Sequence, residues 1–174
     1  MALVIIATAG GASANSFILL TEAETYMLGR GNTATWTAAS DDEKNITLVE
    51  ATREISLMRF IGVRADGTQA LSWPRNLAVN PDDPNHDYFG SSVIPVRVKN
   101  ATAELAFQYL KAGTTDLAAL DPKTNIKSKQ VDVLKTEYFS PSGSVAGVAR
   151  YPFVMSQLRL LLENVGLAIP LIRG

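Results

Sequence analysis

The chain contains no cysteine and a single histidine, His86. The first absence excludes a disulfide framework and any thiolate metal site, and the second leaves one imidazole for catalysis or ligation. A net charge of -1 gives no whole-protein basis for nucleic-acid binding, which usually shows as a strongly basic domain or patch. Aromatic residues make up 7% of the chain, few for a protein that stacks successive bases along a groove. No apolar run approaches the roughly 20 residues of a membrane-spanning helix. Gly10-Gly11 lacks the Gly-Lys-Ser/Thr that cradles phosphate.

What is present suits an ordinary globular chain, 47% hydrophobic and 19% charged, long enough for one domain with a real core. Its organising stretch is Ile94 to Ala112. Pro95 suits a first helical turn and Gly113 a helix stop. Arg97, Asn100, Glu104, Gln108 and Lys111 recur at spacings of three and four and form one narrow polar stripe. The rest of the helix is apolar or small, so other elements must cover most of its circumference.

Three further helices supply that cover. Thr21 with Glu24 predicts a capping box and a helix from Glu22 to Leu28, and Ser40 with Glu43 predicts a second box opening a helix that runs to about Phe60. Pro152 opens a helix whose Val154, Leu158, Leu161, Leu162 and Val165 line one face until Gly166. The second of these helices has two apolar stripes. Leu48, Ala51, Thr52, Ile55 and Met58 face the core, whereas Ile46, Val49, Leu57 and Phe60 meet either another part of the same domain or another subunit.

Between the helices lie irregular segments. Residues 1–20 read as an extended arm, because Leu3 to Ile6 is β-prone and Gly10-Gly11 breaks it. This arm imitates an export signal, with Ala12-Ser13-Ala14 in the form of a cleavage site, but no Lys or Arg precedes the apolar run. The protein is therefore expected to be made in the cytoplasm. Residues 62–92 are rich in turn pairs such as Asp66-Gly67 and Asn80-Pro81, a length of loop that implies function or ordering by a partner. Trp73 and Arg75 are the expected anchors of this loop, the Trp73 indole N–H finding a partner inside the protein. Leu117 to Leu120 suits one more helical turn, and Val131 with Val133 predicts a two-stranded ribbon near 126–138. The fold class is thus mainly α: a bundle of about four helices around a central one, with a small β-ribbon and extended N- and C-terminal arms, in a single domain over 1–174.

Chemistry is sparse. Asp82, Asp83, Asn85, His86 and Asp87 gather oxygen ligands, but counted from Asp83 a calcium loop would need Gly where Tyr88 stands and Glu where Arg97 stands. No metal, cofactor or catalytic group is expected. Lys123, Lys127 and Lys129 form a local basic cluster that suits either a phosphate backbone or a solvated hairpin. The segment 167–174 is expected to be a docking tail, since Leu167, Ile169, Leu171 and Ile172 are large and apolar, Arg173 can add a rim charge, and Pro170 prevents a helix.

Several stretches together resemble one family: Ala14-Asn15-Ser16-Phe17 leading into Thr21-Glu22-Ala23-Glu24, Gly29-Arg30-Gly31-Asn32, Ala70 to Arg75, Ile94-Pro95 to Leu105, and Arg150-Tyr151-Pro152. In that order they are similar to small proteins encoded among the head and tail genes of tailed phages and prophages. These are often labelled DnaT-like single-stranded-DNA-binding proteins and resemble head-tail connectors or adaptors. The resemblance covers most of residues 14 to 155, while residues 3–13 are more apolar than the family's opening and the tail has no counterpart in it. It implies a non-enzymatic virion protein of the phage neck. Such a protein forms a homo-oligomeric ring, a dodecamer matching the portal, with DNA passing non-specifically through its channel and a tail or stopper protein on its other side. On that reading Lys123, Lys127 and Lys129 face the channel, and Leu167, Ile169, Leu171, Ile172 and Arg173 dock on the portal or a neighbouring subunit. The alternative is a single-stranded-DNA-binding accessory protein.

Overall fold

A computed structural model describes residues 3–113, 128–131, 134–137 and 151–163. The elements run α1 (Leu20–Leu28), α2 (Ala34–Ala38), α3 (Asp41–Ser56), β1 (Val63–Arg64), β2 (Arg75–Asn76), α4 (Val96–Ala112), β3 (Ser128–Val131), β4 (Leu134–Glu137) and α5 (Pro152–Leu158). The fold is mainly helical. The small ribbon pairs β3 with β4 antiparallel, Lys129 opposite Thr136, and a second short ladder pairs Val63 with Asn76. The expected turn at Leu117 to Leu120 lies outside the described residues.

The central helix is α4. Residues 101–107 are buried without a break, two turns of helix closed in on every side. α1, α2, α3 and α5 all pack on it. Pro95 precedes its first turn in extended conformation, and its carbonyl accepts from Val98 and Lys99 at 2.9 and 3.2 Å. Gly113 ends it at φ 67°, in the left-handed region that glycine enters without a Cβ penalty. Two expectations for this helix need correction. Glu104 belongs to the polar stripe by spacing but is only 1% exposed, whereas Val96, in the first turn, is largely in water.

Helix starts follow local chemistry where no tertiary partner competes. At α3 the Ser40 hydroxyl accepts from the Glu43 N–H at 3.3 Å and the Glu43 carboxylate accepts from the Ser40 N–H at 2.8 Å, both halves of the expected box. The expected box at Thr21 and Glu24 does not form. Glu24 instead pairs with Lys44 across the helix interface at 3.1 Å. Its place is taken by Glu22, which accepts from the Leu19 N–H at 3.0 Å, so α1 begins at Leu20.

Helix ends fall short of the sequence pattern. α3 stops at Ser56, and Leu57 and Met58 tighten the last turn by bonding to Glu54 and Ile55. Phe60 then turns into its own subunit's core at 1% exposure, so it is not part of an outward interface stripe. α5 likewise stops at Leu158 rather than near residue 165. Leu162 pairs with Phe60 in an antiparallel bridge, and this pairing satisfies backbone that a longer helix would have satisfied internally.

Residues 3–19 of the N-terminal arm contain no helix or strand, yet they are held. Asn15 accepts from the Ile6 N–H at 2.7 Å and donates to the Val4 carbonyl at 2.9 Å, folding residues 4–15 back on themselves. Phe17 and Ile18 are buried, and the Phe17 N–H donates to the Thr52 hydroxyl on α3 at 3.2 Å. Leu105, fully buried in the middle of α4, tests this packing. Leu105→Ala should lower stability by about 2 to 5 kcal/mol, read from a denaturant melt.

Candidate functional site

Two places on the described body concentrate polar and exposed side chains. The first is an open cleft of about 640 Å³ lined by Tyr26, Gly29, Arg30, Gly31, Glu104 and Phe153. A carboxylate inside a closed helix must be neutralised, because an isolated buried charge is very costly. The Arg30 Nε donates to Glu104 Oε1 at 2.6 Å, and the Tyr26 hydroxyl donates to the same oxygen at 3.0 Å. The Arg30 guanidinium also lies 4.5 Å over the Phe107 ring. The cleft is therefore floored by an internal ion pair.

Burial, and then the charge of Glu104, pushes the Tyr26 hydroxyl up to about 12. Because its folded value lies above the ordinary 10.0, the neutral phenol favours the folded state. This stabilisation should be complete below about pH 10 and be lost as the pH rises towards 12. Tyrosinate absorbance should show one late-titrating phenol disappearing in Tyr26→Phe.

The second place is the long loop from Gly62 to Ser92. The Arg75 guanidinium donates to the carbonyls of Phe60, Ile61, Gly62 and Ser72 at 3.0, 2.7, 2.6 and 3.2 Å. Trp73 is buried, edge-on to Phe60 and Phe89 with ring centres 5.6 Å away in each case. Its peptide bond to Pro74 is cis. The expected internal partner for the Trp73 indole N–H is missing among the described residues, where the ring packs against Phe60 and Phe89 instead. Gln69 adds a third tie, donating to the Leu71 and Pro74 carbonyls at 2.7 and 3.1 Å. Arg75→Lys keeps the charge but loses the planar fork, and should cost about 1 to 3 kcal/mol while speeding proteolysis within 62–92.

Among its exposed polar residues this loop also carries large apolar side chains in water. Val63, Leu77 and Tyr88 are more than half exposed, and Val79 pairs with Tyr88 in an isolated bridge. Leu77 sits at φ 58°, a conformation costly for a non-glycine residue. In the acidic cluster at 80–87, Asp82 pairs with Arg97 on α4 at 2.7 Å, and Asp83 accepts from the Asn85 N–H at 2.8 Å. The Arg97 bond holds the Asp82 carboxyl below its usual range. Among the described residues no group of three His, Cys, Asp or Glu side chains is placed to hold a metal ion. None of the described helices is long and apolar enough to cross a membrane.

The other expected site residues divide three ways. On α3, Ile46 is exposed and Val49 half-buried, and Leu57 just beyond the helix is exposed. Lys129 lies in β3, while Lys123, Lys127 and the segment 167–174 lie outside the described residues. Sequence reasoning missed the Arg30–Glu104 pair. The available signal was a charged residue between two glycines, Gly29-Arg30-Gly31, together with one acid flanked by Ala103 and Leu105.

A family model described as "Putative DnaT-like ssDNA binding protein" matches residues 1–174. The chain belongs to that family. No curated protein and no solved structure matches it. Membership gives a family description that names single-stranded DNA, and the described surface can be weighed against it.

Proposed function

We propose that the protein is a structural subunit of a tailed-phage neck, a head-tail connector or adaptor that forms a ring below the portal and lets DNA pass. The observation that carries this reading is how the described surface uses its side chains. Arg30, Lys44, Arg53, Arg97 and Lys99 each pair with a carboxylate, and Arg75 is taken up by carbonyls. Trp36 and Trp73 are both buried, so neither offers a face for base stacking. Apolar groups, by contrast, stand in water on a loop that internal bonds hold in shape. Such a surface supports contact with other protein.

In this reading the face formed by Val63, Leu77 and Tyr88 meets the adjoining copy. Such a contact joins unlike patches and generates a ring when the rotation closes, here a dodecamer matched to the portal. The cluster Lys123, Lys127 and Lys129 faces DNA in the channel through non-specific phosphate contacts. A tail or stopper protein binds the other side. The second reading, a single-stranded-DNA-binding accessory protein, is favoured by the family's description.

Solution mass with and without the portal protein separates the two. The connector reading expects a multi-copy complex when portal is present, and Leu77→Asp should weaken that assembly at least about tenfold, or about 1.4 kcal/mol, without lowering the melting temperature. A chain that stays monomeric with portal yet binds single-stranded DNA at physiological salt would overturn it in favour of the accessory protein.

A further inference from the structure

Glu163 fixes where the C-terminal segment leaves the described body. Its N–H donates to the Arg59 carbonyl at 3.0 Å, and the Leu161 carbonyl accepts from the Ile61 N–H at 3.0 Å. The chain here runs antiparallel to residues 59–61, so Leu161 to Glu163 are directed towards Arg59 and the end of α3. From that point the outward face of α3 carries Leu57, Val49 and Ile46 at helical repeat, with Leu57 75% and Ile46 45% exposed. Arg53 crosses this stripe, and one of its guanidinium nitrogens donates to both carboxylate oxygens of Glu50, at 2.7 and 2.8 Å. Past Ile46 the stripe continues onto the N-terminal segment, where the Leu3 carbonyl accepts from Asn45 at 3.1 Å and both Leu3 and Val4 are exposed.

We propose that this stripe is the seat of the chain's own C-terminal segment, Leu167 to Ile172, laid antiparallel along α3. Length permits it. From Leu57 to Ile46 the helix rises roughly 16 Å at about 1.5 Å per residue. An extended chain leaving Glu163 at about 3.3 Å per residue reaches roughly 13 Å by Leu167 and roughly 26 Å by Leu171. Pattern suits it as well. Leu167, Ile169 and Leu171 alternate and so share one face of an extended segment, and Pro170 biases Ile169 away from helical conformation. Charge agrees at the far end, where Arg173 arrives beside the exposed acidic first turn of α3, Asp41, Asp42 and Glu43. A segment tethered a few residues from its seat has a high effective concentration there, which favours the chain's own stripe over a neighbour's.

The stripe, which the sequence left open to its own domain or another subunit, and the tail, expected to dock elsewhere, are on this account two halves of one intramolecular contact. Neither the connector reading nor the loop face around Leu77 plays a part in it.

The absence of cysteine makes the test clean. Two double variants of the full chain, Leu57→Cys with Leu167→Cys and Ile46→Cys with Leu171→Cys, are oxidised under mild conditions and resolved by non-reducing gel and peptide mass. Both should give an intrachain disulfide at least about tenfold faster than a control pair, Tyr88→Cys with Leu167→Cys. Disulfides between chains, or rates equal to the control, would overturn the proposal. Portal-dependent assembly is measured separately, so intrachain cross-links without ring formation would count against the connector reading alone.

Discussion

A helix enclosed on all sides from Ala101 to Phe107 leaves the charge of Glu104 without water, and much of the molecule's arrangement obeys that constraint. Arg30 must lie within bonding distance, so α1 must end close enough to α4 for Gly29-Arg30-Gly31 to fold over the Phe107 ring. Tyr26 must point its hydroxyl inward and is held as a neutral phenol. Exchanging such a pair for apolar residues often costs nothing, while removing one partner leaves an uncompensated charge. The pair joins the end of α1 to the middle of α4, and losing either partner would strand the other.

The same enclosure explains how the rest of the chain divides. α1, α2, α3 and α5 use their apolar faces to cover α4. The long loop uses different means: a guanidinium that gathers carbonyls, a buried indole edge-on to two phenyl rings and a glutamine amide bridging two carbonyls. Because these ties all point inward, the loop presents apolar side chains outward without collapsing onto the core.

The sequence made the elements that depend on neighbours in the chain readable. Ser40 with Glu43, Gly113 and Pro152 each marked a helix boundary by local backbone chemistry, and the structure places boundaries there. Thr21 with Glu24 offered an equally good signal and failed, because Lys44 lies across the helix interface and spacing along one chain cannot reveal it. Glu104 failed for a related reason: a period of three or four finds a stripe but not what covers it. Phe60 fitted the outward stripe of α3 only while the helix was taken to continue. Once it stops at Ser56, the direction of Phe60 goes with its pairing to Leu162 instead. The order of residues 62–92 was legible only as a puzzle of length, since the four carbonyls that Arg75 collects are scattered over positions 60 to 72.

Gly62 bears on how this surface can diversify. Its φ is 75°, and a Cβ built there would collide with the Asn76 carbonyl oxygen and lie 2.8 Å from the Ala78 nitrogen. The base of the loop is thus a joint with almost no room for alternative side chains. Its tip, around residues 80–87, is exposed and closed by short local bonds. Chemical variety can accumulate at the tip while the base keeps the same shape, which would let one scaffold be re-addressed to different neighbours without being refolded.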